Sequence, residues 1–202
     1  MVKKALTTEE KILEAAKKVF HRKGFEGARM QEIADEAGIN KALLHYYFRT
    51  KENLFDDVFK AAFREIFPKL FMTVDADVPL EEKLKNLINE YISFLQKNSY
   101  IPGFILAEMN QNPGKIIEVF KSTPVSPYML FERMRKTVQD EKLEKTDFRE
   151  LFINILALCI FPIVARPMLQ HILKFSDKEY DLFIEKRKKE LPVFIMNAIR
   201  KK

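Results

Sequence analysis

The stretch Ile33–Leu54, IADEAGINKALLHYYFRTKENL, decides the fold. Ile33, Ala34 and Ala37 place an apolar edge at helical spacing. Gly38 then stops that helix, because a left-handed residue after a helix end costs glycine no Cβ clash. Asn40 is suited to cap the next helix, since its side-chain oxygen can accept a free backbone N–H. That next helix, Lys41–Tyr47, is short. Leu44 and Phe48 can point inward, which leaves Lys41, Ala42, Leu43, His45, Tyr46 and Tyr47 on its other faces. Two helices, a glycine turn and an exposed polar-aromatic face form a helix-turn-helix, the arrangement that sets its second helix in the DNA major groove.

Working outward, Thr7 or Thr8 caps a first helix that runs to about Arg22, with Ile12, Ala16, Val19 and Phe20 as its inner stripe and Gly24 as its end. A second helix covers Arg29–Glu36. Ahead of these, Lys3 and Lys4 form a short basic arm that either reaches a minor groove or frays.

The run Ile12-Leu13-x-Ala15-Ala16, Phe20, Gly24-Phe25, Ile33-Ala34, Ala37-Gly38-Ile39, Lys41, Leu44, Tyr46-Tyr47-Phe48 and Lys51-Glu52-x-Leu54 resembles, without a gap, the DNA-binding domain of the TetR (tetracycline-repressor-like) transcriptional regulators. The departures are Ala28 in place of a capping Thr, His45 in place of a tyrosine, and Leu43 in place of a smaller residue. The resemblance implies an N-terminal DNA-binding domain, residues 1–52, followed by a helical effector-binding and dimerisation domain, residues 53–202. It implies DNA contacts from Arg29, Lys41, Ala42, His45, Tyr46, Tyr47 and Lys51, the last as a phosphate ligand. Read as residues alone, Tyr46 could pack under the turn, and Arg29 and His45 could be idle surface groups. If His45 does bind phosphate, it should do so better when protonated.

The rest of the chain reads as helices cut by nine prolines; the whole chain has only five glycines and hardly any stretch that suits a strand, so the expected fold is all-α. A helix from Lys51 carries Leu54, Phe55, Val58, Phe59, Ala62, Phe63 and Phe67, and Pro68 should kink or end it. Residues 73–79 read as a loop. An amphipathic helix follows over Leu80–Lys97, then helices restarting at Pro102 and Pro113, and another over Ser126–Val138. After a charged linker at 139–146 comes one long apolar helix, Thr146–Leu173, with Pro162 and Pro167 inside it. The last helix starts at Ser176-Asp177, runs to about Arg200 and should bend at Pro192.

By the same resemblance the last two helices pair two copies into a homodimer. Candidates for that interface are Leu158, Val164, Met168, Phe183 and Phe194, with Ile155 and Ile163 beside them. The middle helices offer an effector pocket from Tyr91, Phe94, Phe104, Ile105, Met109, Phe120, Met129 and Phe131, with Glu108 and Asn110 as polar anchors. Each of these side chains could instead fill the core. The lining suits a small apolar or aromatic effector.

Charge placement agrees with a DNA partner. Residues 1–51 hold 11 Lys/Arg against 7 Asp/Glu, whereas the remaining residues hold 24 against 22. No signal peptide or bilayer-length apolar run is visible, so a cytoplasmic protein without a membrane partner is expected. The lone Cys159 excludes an internal disulfide and reads as a core thiol. His21, His45 and His171 lie far apart, and no phosphate loop or nucleophile elbow occurs. Neither a metal, a cofactor nor an enzymatic activity is therefore expected. Two alternatives remain open at this level. One is a helical carrier of apolar ligands with an incidental basic head. The other is a nucleoid-type protein that binds DNA without sequence choice.

Overall fold

The computed structural model describes residues 6–111, 113–141 and 147–200. The basic arm at Lys3 and Lys4, most of the charged linker and Thr146 lie outside the described residues. Eleven helices, and no strand, occur among those that are described.

Helix α1 spans Thr8–Gly27 but breaks at Gly24, whose φ of 68° leaves the helical region. The expected stop is therefore an interruption, after which the chain makes one more turn. Thr7 and Glu10 form a reciprocal capping box at its start. Helix α2 runs Met30–Ala37, with Arg29 flanking it instead of opening it. Gly38 takes the left-handed C-cap (φ 68°, ψ 34°), and the Asn40 side chain accepts the Leu43 N–H at 2.8 Å to start α3, Lys41–Tyr47. Ile12, Ala16, Val19, Phe20, Ile33, Ala34 and Leu44 are fully buried and close the core of this head.

Helix α4, Lys51–Asp75, leaves the head and does not stop at Pro68. The proline forfeits one backbone hydrogen bond, but Phe67, Leu70 and Val74 on either side of it are buried, and their burial outweighs one missing rung. The loop expected from residue 73 is thereby shortened to 76–79. Helices α5 (Leu80–Lys97), α6 (Tyr100–Gln111), α7 (Pro113–Lys121) and α8 (Pro127–Asp140) follow. The single helix expected over 146–173 is two, α9 (Phe148–Val164) and α10 (Arg166–Leu173), bent by 74°. Pro162 is tolerated inside α9. Pro167 lies in the first turn of α10, where no N–H is required of it, and so starts a helix. Helix α11, Asp177–Arg200, contains Pro192 and packs on α5.

Helix α4 is the axis of the molecule. It packs against α1 at its head end and against α5 and α8 further on. A chain of aromatic rings follows it: Phe25 lies 5.0 Å from Phe55, Phe55 lies 4.0 Å from Phe104, and Phe59–Phe63 and Phe63–Phe67 follow at 4.6 and 4.8 Å. No single described helix is long and apolar enough to cross a membrane. Cys159 is buried, which pushes its thiol up to about 12.

Candidate DNA-reading face and effector cavity

The head presents α3 outward. Leu44 anchors it at zero exposure, while Tyr46 is 81 % exposed and Tyr47 41 %, their rings edge-to-face at 5.5 Å. Tyr46 thus does not pack under the turn. Lys41, Ala42 and His45 are exposed on the same helix, and Arg29 is exposed at the start of α2. The His45 Nδ1 lies 3.1 Å from the Arg49 carbonyl oxygen. A carbonyl can only accept, so Nδ1 carries the proton and the neutral ring turns a bare Nε2 outward. Such a nitrogen can accept from a base amino group. It becomes a donor to phosphate only when the ring is protonated.

Much of the basic charge in the head is engaged internally. Glu36 accepts from Arg22 (2.9 Å) and Lys18 (3.2 Å), and Glu32 pairs with Lys23, so these contacts tie α2 to α1. The Arg22 and Lys23 hydrogen bonds hold the Glu36 and Glu32 carboxyls below the usual carboxylate range. Lys51 is engaged as well, contrary to its expected place on a phosphate. Its ammonium donates to the Phe25 carbonyl at 2.9 Å and the Ala28 carbonyl at 3.3 Å, and stands 4.5 Å above the Phe25 ring. Those carbonyls stand at the C-terminal end of α1, where no further helical N–H follows, and Lys51 satisfies them. Arg29, Lys41 and Arg49 form no ion pair with a described residue, and so remain free for phosphate. Arg49 was not singled out in the sequence; its position in the turn after α3 is the signal that would have found it.

The larger part of the molecule encloses a cavity of about 400 Å³. Tyr91, Phe94, Ile105, Met109 and Phe120 line it, as the sequence suggests. Phe104 does not; it stacks on Phe55 at the junction with the head. Met129 and Phe131 are also elsewhere: Met129 is 43 % exposed, and Phe131 packs on Phe148 and Phe152. Among the lining residues that sequence reading missed are Phe63, Ile66, Phe67 and Leu70 of α4 and Phe152, Ile155, Leu156 and Ile160 of α9. An apolar face on α4 wider than one neighbouring helix can cover was their trace in the sequence. Glu108 and Asn110 do not reach into the space. Lys115 bridges Glu108 (3.7 Å) to Asp56 on α4 (2.7 Å), and Asn110 bonds back to the Leu106 carbonyl.

A third feature is an exposed apolar face on α9–α11. Val164, Met168 and Phe194 belong to it, with Phe161, Ile172, Leu182 and Val193, all at least 40 % exposed. Leu158 and Phe183 are half-buried within the chain. The Leu158 carbonyl accepts from the Arg187 guanidinium, and the Phe183 ring packs on Phe175 and Tyr180. Ile155 belongs to the cavity wall.

Residues 12–58, the helix-turn-helix and the start of α4, match the model of the bacterial regulatory proteins, tetR family. Those residues thus carry a DNA-binding domain of the tetR family. The protein is accordingly a DNA-binding transcriptional regulator. The chain is 22 % identical, over 96 % of its length and 95 % of the relative's, to the probable HTH-type transcriptional regulator YttP of Bacillus subtilis. It is also 35 % identical over 89 residues, 42 % of each chain, to the HTH-type transcriptional repressor NicS of Pseudomonas putida. Among solved structures, the fatty acid degradation regulator FadR of Bacillus halodurans matches with a TM-score of 0.70 at 22 % identity over 96 % of both chains. FadR of Bacillus subtilis, solved with stearoyl-CoA, matches with a TM-score of 0.64 at 19 % identity over 92 % of this chain and 96 % of that one. At these identities the structural likeness speaks for the fold.

Proposed function

We propose that this regulator is a ligand-responsive repressor, acting in the cytoplasm as a homodimer on a palindromic operator, and that an apolar effector in the cavity releases it from DNA. The observation that carries this reading is the double use of α4. Its first residue follows the recognition helix by four positions, and its middle, Phe63 to Leu70, is a wall of the cavity. Whatever fills the cavity must press on the helix that holds the reading head. A coupling of about 1–3 kcal/mol is enough to change operator occupancy.

In this reading residues 1–52 read DNA through Arg29, Lys41, Ala42, His45, Tyr46 and Tyr47, with Arg49 on phosphate, and residues 53–202 bind effector and pair. The exposed apolar face of α9–α11 supports pairing, because an apolar surface of that extent is poorly suited to water. Two heads on one palindrome would set their recognition helices roughly 34–36 Å apart. Support for a long apolar effector comes from the lining, and from the FadR of Bacillus subtilis that was solved with stearoyl-CoA.

The test is in-vitro selection of DNA by the purified protein at near-physiological salt, beside a Lys41→Ala/His45→Ala double variant. A palindrome enriched by the parent and lost by the variant is the expected result. No enriched sequence would overturn the reading, and so would the same sequence from both proteins.

A further inference from the structure

The cavity wall contains a single polar side chain among its described residues. The other twenty lining residues are aliphatic, aromatic, Met or Pro, and Tyr91 on α5 brings the only hydroxyl. That hydroxyl forms no hydrogen bond with any described residue, and it is not among the polar atoms sealed from all space, so it opens onto the cavity. Cys159 lies close enough to act on the phenol electrostatically but makes no hydrogen bond with it. Burial raises the phenol far above its ordinary range, which keeps it protonated and therefore a donor. Native interiors seldom leave such a donor unanswered, because its lost hydration has to be replaced by a partner.

No Lys, Arg or His lines the space among the described residues. An anionic headgroup drawn inside would meet no compensating charge, and a buried ion without a partner is strongly disfavoured. A pure hydrocarbon would leave the Tyr91 hydroxyl unanswered. We propose that the cavity is built for a long apolar molecule that carries one uncharged hydrogen-bond acceptor, a carbonyl or ester-type oxygen, and that the Tyr91 hydroxyl donates to it. The proposal rests on the effector reading above and narrows it: the group read inside the protein is a neutral oxygen on an apolar chain.

Three probes of matched length separate the terms: tridecane, 2-tridecanone and dodecanoate. Each is titrated against the full-length protein and its Tyr91→Phe variant by displacement of N-phenyl-1-naphthylamine, and each is then added to the protein bound to its selected operator. The expected result is that 2-tridecanone binds the parent about tenfold more tightly than tridecane, as one added hydrogen bond allows. Dodecanoate should be weaker than the ketone. In Tyr91→Phe the ketone should lose its advantage, while tridecane binds as in the parent, which also shows that the variant is folded. A ketone advantage that survives in Tyr91→Phe overturns the proposal alone, as does tightest binding by dodecanoate. Binding of none of the probes overturns it together with the effector reading. A Tyr91-dependent ketone advantage without any release of DNA overturns the effector reading and leaves the Tyr91 assignment standing.

Discussion

The two ends of α4 are packed to different standards. At its head end, Leu54, Phe55 and Val58 meet Ile12, Val19, Phe20 and Leu44 with none of their surface exposed. Farther along, Phe63, Phe67 and Leu70 are equally apolar but border about 400 Å³ of open space. One helix thus serves a filled core and a hollow one. A reading head must hold a few side chains in fixed register, so its core is filled and α2 is tied to α1 by ion pairs around the outside. A receptor must keep a volume for its guest, and it gives up dispersion contacts to do so.

The strongest test of this contrast removes a ring from the filled end. Phe55→Ala deletes a fully buried side chain in contact with Phe20, Phe25, Phe59, Tyr100 and Phe104. It should cost about 3–5 kcal/mol of stability in denaturant titrations. Adding volume should then separate the two ends. Ala16→Leu, in the head, should cost about 1–3 kcal/mol, because no space is available there. Ile155→Phe, on the cavity wall, should change stability by less than about 1 kcal/mol while abolishing dye binding. Equal costs for the two would mean that the packing difference is not real in solution.

A smaller effect is expected at Gly38. A Cβ there would meet nothing within 4 Å, so Gly38→Ala carries only the backbone penalty of φ 68°, about 1–2 kcal/mol. The loss of DNA binding should exceed the loss of stability, since the turn sets the angle of α3. The smallest effect concerns acid. The carboxyls of Glu32 and Glu36 are held low by their basic partners. Their contribution is therefore present above the ordinary carboxylate range and is lost as pH falls through the depressed values. Glu36→Gln should flatten the acid limb of the stability profile and leave the neutral region nearly unchanged.

Most of the head is legible in the sequence, because its rules are local. Gly38, Asn40 and the spacing of Ile33, Ala34 and Leu44 specify a turn and a face without reference to anything distant. Lys51 shows where that reading ends. Its partners are carbonyls more than twenty positions away, and no local pattern announces them. The cavity was half legible for the same reason. Tyr91, Phe94 and Phe120 are apolar residues on amphipathic helices, but whether such a residue fills a core or borders a void depends on what stands opposite, as Phe104 shows. The prolines misled in both directions. Pro68 is carried within a helix by the burial around it, whereas Pro167 opens a helix and divides the one expected there.

Pro68 has a mechanical consequence. Its ring nitrogen cannot donate, so α4 lacks a rung beside the cavity, and a helix bends most easily where a rung is missing. Lys51 lies seventeen residues away along the same helix, a lever arm of about 25 Å at the helical rise per residue. Turning that arm through about 5° at Pro68 sweeps its far end through about 2 Å, enough to take a side chain out of hydrogen-bonding reach. In the reading proposed above, a guest that only nudges its host at the fulcrum would lift the reading head off its bases by geometry alone.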